Sequence, residues 1–182
     1  FAKLLIENRL KEFGKFEKKN ISLIEPNKKI KLNNFELKFI ATTHSIPESF
    51  SIIIKTEYGN LLHTADWKIE ENPLLGEKFD SKGFSKVGNE GLLALIGDST
   101  NAEVPGFSKS ERDVREELTK VFSRYSNRII ITCFSSNIAR IESIAIAAKK
   151  NNRKVALVGR SMKKTIEAAI KSNISKFLED FI

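Results

Sequence analysis

A single cysteine, Cys133, is the only thiol in 182 residues, which excludes an internal disulfide. Its setting in Arg128-Ile129-Ile130-Ile131-Thr132-Cys133-Phe134 reads as a buried strand position, so no thiol chemistry is expected. Long apolar runs are also missing. None approaches the roughly 18 residues that a membrane span requires, and no charged-then-apolar leader opens the chain. The expected class is therefore globular and soluble, with the cytoplasm as the default address and no membrane partner. Internal repeats and low-complexity tracts are absent. So is an initial methionine: Phe1 opens in the middle of an amphipathic pattern, as an internal piece of a longer protein would.

What the chain does contain is enough apolar material for a real core, 41% hydrophobic residues, in a length that holds one ordinary domain or two partial ones. Lysine and arginine number 31 against 23 aspartate and glutamate, a net charge of +8. That surplus raises the local concentration of a polyanion near the surface and is compatible with RNA. Many of the lysines, Lys18-Lys19 and Lys149-Lys150 among them, suit a solvated loop or helix end equally well.

Taken in order, Ala2 to Phe13 places Leu4, Leu5 and Leu10 among charges at helical spacing, and Gly14 is a stop signal, which predicts a surface helix. Ile30-Lys31-Leu32 and Phe35 to Ile40 alternate apolar with polar around Asn33-Asn34, the pattern of a hairpin. Phe50, Ile52, Ile53 and Ile54, then Leu61-Leu62 beyond a Tyr58-Gly59-Asn60 turn, read as two further strands. Glu70 to Glu90 is expected to be a loop with one short helix. Leu92 to Ile96 is too short for a helix and suits a strand buried on both faces, ending at Gly97-Asp98.

Alternating units follow. Ser108-x-x-Glu111 has the form of a capping box, and Val114, Leu118, Val121 and Phe122 share one helical face. Arg128 to Cys133 and Val155 to Val158 read as strands; Ile138, Ile141, Ile144, Ala145 and Ala148, then Ile166, Ala169 and Ile170, mark helices. Strand, helix, strand, helix predicts a parallel sheet with crossover helices, a different layer type from the first half, with the change near Asp98 to Gly106.

Thr42-Thr43-His44-Ser45-Ile46-Pro47-Glu48-Ser49 and Leu62-His63-Thr64-Ala65-Asp66-Trp67 put an imidazole and a carboxylate just beyond neighbouring strands. His44 and Asp66 together suit a borderline cation such as Zn2+ or Mn2+. They equally describe a loop histidine and a strand-ending aspartate, because a metal site normally takes three or four ligands. His63 is expected to be structural or to support a ligand. Trp67, Phe50 and Tyr58 are expected in the core or at its rim. Asp98, in Gly97-Asp98-Ser99-Thr100-Asn101, is either a turn cap or an acidic site residue. Ser135-Ser136-Asn137 follows an apolar run and opens a helix. Free backbone N–H groups, two hydroxyls and an amide make a phosphate cradle, and simple N-capping is compatible with it. Gly159-Arg160-Ser161 repeats the arrangement, with Arg160 as a phosphate fork.

These motifs occur in one order: His-Ser-Ile-Pro-Glu-Ser, His-Thr-Ala-Asp-Trp-Lys, Gly-Asp-Ser-Thr-Asn-Ala-Glu, Phe-Ser-Ser-Asn-Ile-Ala-Arg and Val-Gly-Arg-Ser-Met. Over nearly its whole length the chain resembles ribonuclease J, a metallo-β-lactamase superfamily member with a β-CASP insertion. The resemblance implies an α/β chain: the later part of a metallo-β-lactamase αβ/βα sandwich over residues 1–98, then the first part of a Rossmann-like β-CASP domain over 99–182. It implies two metal ions, usually Zn2+ with Mn2+ or Mg2+ as alternatives, His44 as a lone histidine ligand and Asp66 as the bridging aspartate. Asp98 would match the first β-CASP motif, orienting a metal-bound histidine or taking part in proton transfer. Ser135, Ser136 and Asn137 would bind the RNA backbone.

The family's His-x-His-x-Asp-His segment is absent, as are its later histidines, and Ala65 and Trp67 stand where the family often has Gly and Phe. The 182 residues alone are thus not expected to complete a dinuclear site or to be active by themselves. The intact protein would hydrolyse RNA from a 5′ end and internally, in RNA maturation and decay, and self-associate through regions outside these residues. Two rivals remain open: another metallo-β-lactamase-fold hydrolase of small esters, which would lack the β-CASP-like half, and a non-catalytic nucleic-acid-binding module.

Overall fold

A computed structural model of the chain describes residues 1–17, 21–26, 28–175 and 177–178. Lys18 and Lys19 lie outside the described residues. Helix α1 (Ala2–Glu12) ends at Phe13, and Gly14 takes φ +64, the left-handed stop read from the sequence. A meander follows: β1 (Lys29–Leu32), β2 (Phe35–Thr42), β3 (Ser49–Thr56) and β4 (Gly59–His63), antiparallel throughout. Asn33, at φ +52, turns β1 into β2. After α2 (Ser81–Glu90), β5 (Ala94–Ile96) adds to β4 in parallel, completing a five-stranded mixed sheet in the order β1-β2-β3-β4-β5. The remaining elements are α3 (Glu111–Arg124), α4 (Ile138–Lys150) and α5 (Arg160–Lys171).

The register explains one face of the sheet. Ile53 pairs with Leu62, and Ile40 with Ser51, so these residues share a side with Thr64 just past β4. Helix α2 covers that side: Val87 and Phe84 pack against Ile40, Ile53 and Leu62. Asp80 starts the helix by accepting from the Gly83 N–H at 2.9 Å, and Gly91 ends it. Trp67, Phe79 and Phe84 lie together beside it, with centroids 4.6 to 6.1 Å apart, which places Trp67 at the core rim as expected, whereas Tyr58, expected there too, is exposed at the β3–β4 turn. No helix among the described residues is long and apolar enough to cross a membrane.

The second half is a helical layer with α4 at its centre. Ile138, Ile141 and Ala145 meet Ile166, Ala168 and Ala169 of α5, while Ala147 and Ala148 meet Phe122 of α3. Leu4 and Leu5 of α1, and Ile46 and Leu75 from the loops of the first half, pack on the same core. The loop that carries His44 is thereby seated on the start of α4.

Three expectations are corrected. The run 92–96 does form a strand, but β5 is an edge with Leu93, Leu95 and Ile96 at least half exposed, because α2 covers β2 to β4 and nothing described covers β5. The capping box of α3 is Ser110 with Asp113, two residues beyond the one expected; Glu111 is engaged elsewhere. Segments 128–133 and 155–158 form no ladder. They keep a strand's alternation, with Ile129, Ile131 and Cys133 half-buried and Ile130 exposed. Ile129, Ile131, Val155 and Leu157 from the two segments border one cavity of about 360 Å³. Cys133 is accordingly half-buried and outside any strand, although burial still pushes its thiol up and away from reactivity.

Candidate functional site

The loops that carry His44 and Asp66 are stitched together. Thr43 forms an isolated antiparallel bridge to Lys68, with the Lys68 N–H donating to the Thr43 carbonyl at 2.7 Å. The Thr43 hydroxyl donates to the Lys68 carbonyl and accepts from the Glu70 N–H at 3.1 Å. Both His44 and Asp66 are exposed. The turn into Asp66 is built by its neighbours. Ala65 sits at φ +54, a left-handed conformation where glycine would be unstrained. The His63 Nδ1 accepts from the Ala65 N–H at 2.9 Å, which gives His63 the structural role expected of it.

Thr64 is the residue that the sequence reading missed. It is fully buried, and its hydroxyl accepts from the Asp98 N–H at 3.0 Å while donating to the Ala65 carbonyl at 2.8 Å. Its carbonyl accepts from the Ser51 hydroxyl at 2.7 Å, and its N–H donates to Ile96 at 3.0 Å. One side chain therefore fixes the offset between the Asp66 turn and Asp98. Trp67 adds a second tie, its indole N–H donating to the Asp98 carbonyl at 3.2 Å.

The Asp98 carboxylate accepts from the Thr100 hydroxyl at 2.5 Å and the Thr100 N–H at 3.0 Å. These bonds, with the Thr100 hydroxyl the largest influence, hold its carboxyl below the usual carboxylate range; nearby His44 pulls the same way. A carboxylate kept ionised suits orienting a cationic or N–H group better than donating a proton near neutrality. Thr100→Val removes the hydroxyl bond and is expected to raise the Asp98 pKa toward its ordinary value, read by NMR titration of the carboxyl carbon. The sign for stability follows from the depressed folded value: the contact contributes above the ordinary pKa and is lost as pH falls through the folded one. The variant's deficit relative to the parent should shrink on acidification.

The expected cradle lies at the other half. Asn137 is buried and caps α4, its Oδ1 accepting from the Arg140 N–H at 3.0 Å, so its side chain serves the helix. Ser135 lies beside α5: its hydroxyl is 2.9 Å from that of Ser161. Gly159, at φ +116, starts α5 without a side-chain cap. The segment before α4 and the start of α5, which the sequence suggests as separate phosphate sites, thus meet at these hydroxyls. The N–H groups expected to be free at the start of α4 are not: Asn137 and Ile138 donate theirs to the Phe134 and Ser136 carbonyls, each at 3.0 Å. Glu111 bonds Arg140 through two nitrogens, Nε at 2.9 Å and Nη2 at 2.8 Å, and accepts from Asn137 at 3.4 Å. Burial pushes the Glu111 carboxyl up, but Arg140 and Asn137 more than offset it and hold it below its usual value.

His44 and Asp66 fit a divalent cation in kind, an imidazole and a carboxylate on adjoining rigid loops. They do not fit in number. Among the described residues no group of three or more His, Cys, Asp or Glu side chains is placed to hold a metal ion.

Residues 126–182 match the family model described as the beta-CASP domain of ribonuclease J. With the mixed α/β architecture, that match marks a β-CASP segment in a chain of metallo-β-lactamase-related fold. Ribonuclease J of Synechocystis sp. is 40% identical over 171 residues, 93% of this chain and 27% of that protein. Ribonuclease J of Sinorhizobium meliloti is 40% identical over 162 residues, 89% of this chain and 29% of that protein. Ribonuclease J2 of Bacillus subtilis is 36% identical over 167 residues, 92% and 30%. Over most of its length the chain is thus similar to ribonuclease J proteins, and it spans less than a third of the length of these curated relatives. A crystal structure of a protein of unknown function from Enterococcus faecalis V583 shares the fold, with a TM-score of 0.57 at 17% identity over 91% of this chain and 41% of that one.

Proposed function

We propose that the chain is the part of a metal-dependent ribonuclease that holds RNA beside the catalytic metals, in a protein that cleaves RNA from a 5′ end and internally during ribosomal RNA maturation and messenger decay in the cytoplasm. Residues 1–98 belong to its metallo-β-lactamase domain and 99–182 to its β-CASP domain. His44 and Asp66 are two ligands of a dinuclear centre, most simply zinc, whose remaining ligands lie outside these residues. Such ions supply Lewis acidity and a lowered pKa for water. Asp98 is an orienting carboxylate, kept ionised by Thr100. Ser135 and Ser136, with Ser161 and Arg160, receive the phosphodiester backbone.

The observation that carries the reading is the 2.9 Å contact of the Ser135 and Ser161 hydroxyls, which joins the segment before α4 to the start of α5, where Arg160 is the first helical residue. Helix N–H groups and a guanidinium are suited to phosphate oxygens. The names of the relatives supply the polyanion. Single-stranded RNA titrated into the chain in the presence of a chelator, followed by fluorescence anisotropy, tests it. Hydrogen bonds to a charged group contribute about 1.5 to 3 kcal/mol, so Ser135→Ala with Ser136→Ala should weaken binding by about tenfold or more. An unchanged affinity overturns the cradle.

A further inference from the structure

Arg140 invites a different assignment from the one its geometry supports. A guanidinium three residues beyond a phosphate cradle looks like another phosphate ligand. Its Nε and Nη2 are instead both committed to Glu111, at 2.9 and 2.8 Å, in the two-pronged geometry that a planar fork makes with a carboxylate. The pair is half-buried, and the Asn137 amide closes on the same carboxylate at 3.4 Å. Glu111 is also the first residue of α3, and its N–H donates to Glu70 at 3.3 Å. Glu70 is bonded through its N–H to Thr43, next to His44, and its carboxylate accepts from Lys68 at 3.3 Å. Lys68 in turn donates to the Lys109 carbonyl at 2.7 Å. His44, Glu70, Glu111 and Ala139 border one narrow cleft.

We propose that the Glu111–Arg140 pair is a positioning clasp: it fixes the Ser135-Ser136-Asn137 turn at a set distance from the His44 loop, through Glu70 and Thr43, and Arg140 does not itself contact RNA. The inference deepens the cradle reading and rests on it. Covalently the two loops are about ninety residues apart in the chain, from His44 to Ser135. The route from Asn137 through Glu111 and Glu70 to Thr43 crosses the same gap in three noncovalent steps. A bidentate pair resists rotation about either side chain, which a single lysine contact would not.

The two assignments predict opposite signs. Glu111→Gln releases Arg140: a phosphate ligand freed from a competing carboxylate binds RNA more tightly, whereas a clasp that has lost its anchor binds RNA more weakly. With the clasp, Glu111→Gln and Arg140→Lys each weaken single-stranded RNA binding by about fivefold to tenfold, although Arg140→Lys keeps the charge. The exchanged pair, Glu111→Arg with Arg140→Glu, recovers most of the affinity. Amide hydrogen exchange at 135–137, which needs no RNA, speeds up in both single variants and returns to the parent rate in the exchanged pair. In the whole protein the single variants lower kcat with metal content unchanged.

Tighter binding by Glu111→Gln, or exchange at 135–137 that does not move, overturns the clasp. Faster exchange with RNA affinity indifferent both to these changes and to the serine substitutions overturns the cradle, and with it the clasp's part in binding. Should a single variant fail to fold, the exchanged pair decides: with both charges reversed, recovered binding supports a clasp and lost binding identifies Arg140 as a direct ligand.

Discussion

Gly76→Ala is expected to destabilise the chain by about 2 to 4 kcal/mol and to disturb the His44 loop more than any other single methyl group added to it. Gly76 takes φ +80, where an L side chain is strained, and a Cβ built there would lie 2.8 Å from the Pro47 carbonyl carbon and 3.0 Å from its Cα. Those neighbours are backbone, so no rotamer change relieves the overlap. Pro47 is itself buried, in the middle of the loop between His44 and Ser49. Left-handed strain costs about 1 to 2 kcal/mol and overpacking about 1 to 3, and here they act on one atom. Displacing Pro47 would move Ile46, which seats the loop on the α4 core. Urea unfolding measures the loss, with Gly88→Ala as the contrast. Gly88 is inside α2 with nothing within 4 Å of the added carbon, and alanine there should stabilise by about 0.5 to 1 kcal/mol. Equal stability of Gly76→Ala and the parent would mean that the two loops do not touch as described.

The contrast between those glycines shows which information the sequence carries locally. Gly14 and Asn33 are legible because each turn needs only its own backbone freedom. The faces of α4 and α5 are legible for the same reason: Ile138, Ile141, Ala145, Ile166 and Ala169 repeat at helical spacing and are buried as that spacing requires. His44 and Asp66 are placed correctly at the ends of β2 and β4 because alternation fixes where a strand stops. Gly76 is different, since its need for glycine comes from Pro47, a partner 29 positions away that no local pattern names.

The same limit explains the misreadings. Ser108-x-x-Glu111 is the better capping box on paper, but Arg140 takes Glu111, and Ser110 with Asp113 forms the box instead. The apolar run ending in β5 carries the composition of a covered strand without specifying what covers it, and here it is an edge. Thr64 passes as an ordinary β-branched residue, and only the fold shows its hydroxyl holding the Asp98 backbone to the Asp66 turn. Long-range polar contacts between single residues leave no periodic trace, so the supports of the proposed site are hidden where its candidate residues are not.

That division between ligand and support makes Asp66→Ala the sharper test of the proposed centre. Asp66 is exposed, and the turn that presents it is held by His63, Thr64 and the bridge from Thr43 to Lys68. Removing its carboxylate therefore leaves those contacts intact, and stability should change by no more than about 0.5 kcal/mol. In the whole protein the metal-to-protein ratio should nevertheless fall by at least one ion. RNA hydrolysis should fall more than about 100-fold, the upper end of what losing a mere supporting partner of a metal ligand causes. Elemental analysis of the purified variant and a single-turnover cleavage assay read the two effects separately. RNA binding in chelator should be unaffected, because Ser135, Ser136 and their clasp do not depend on Asp66. A variant with full metal content removes Asp66 from the ligand set. One that loses metal and RNA affinity together makes the cradle part of the metal centre, coupled to it through Thr43, Lys68 and Glu70.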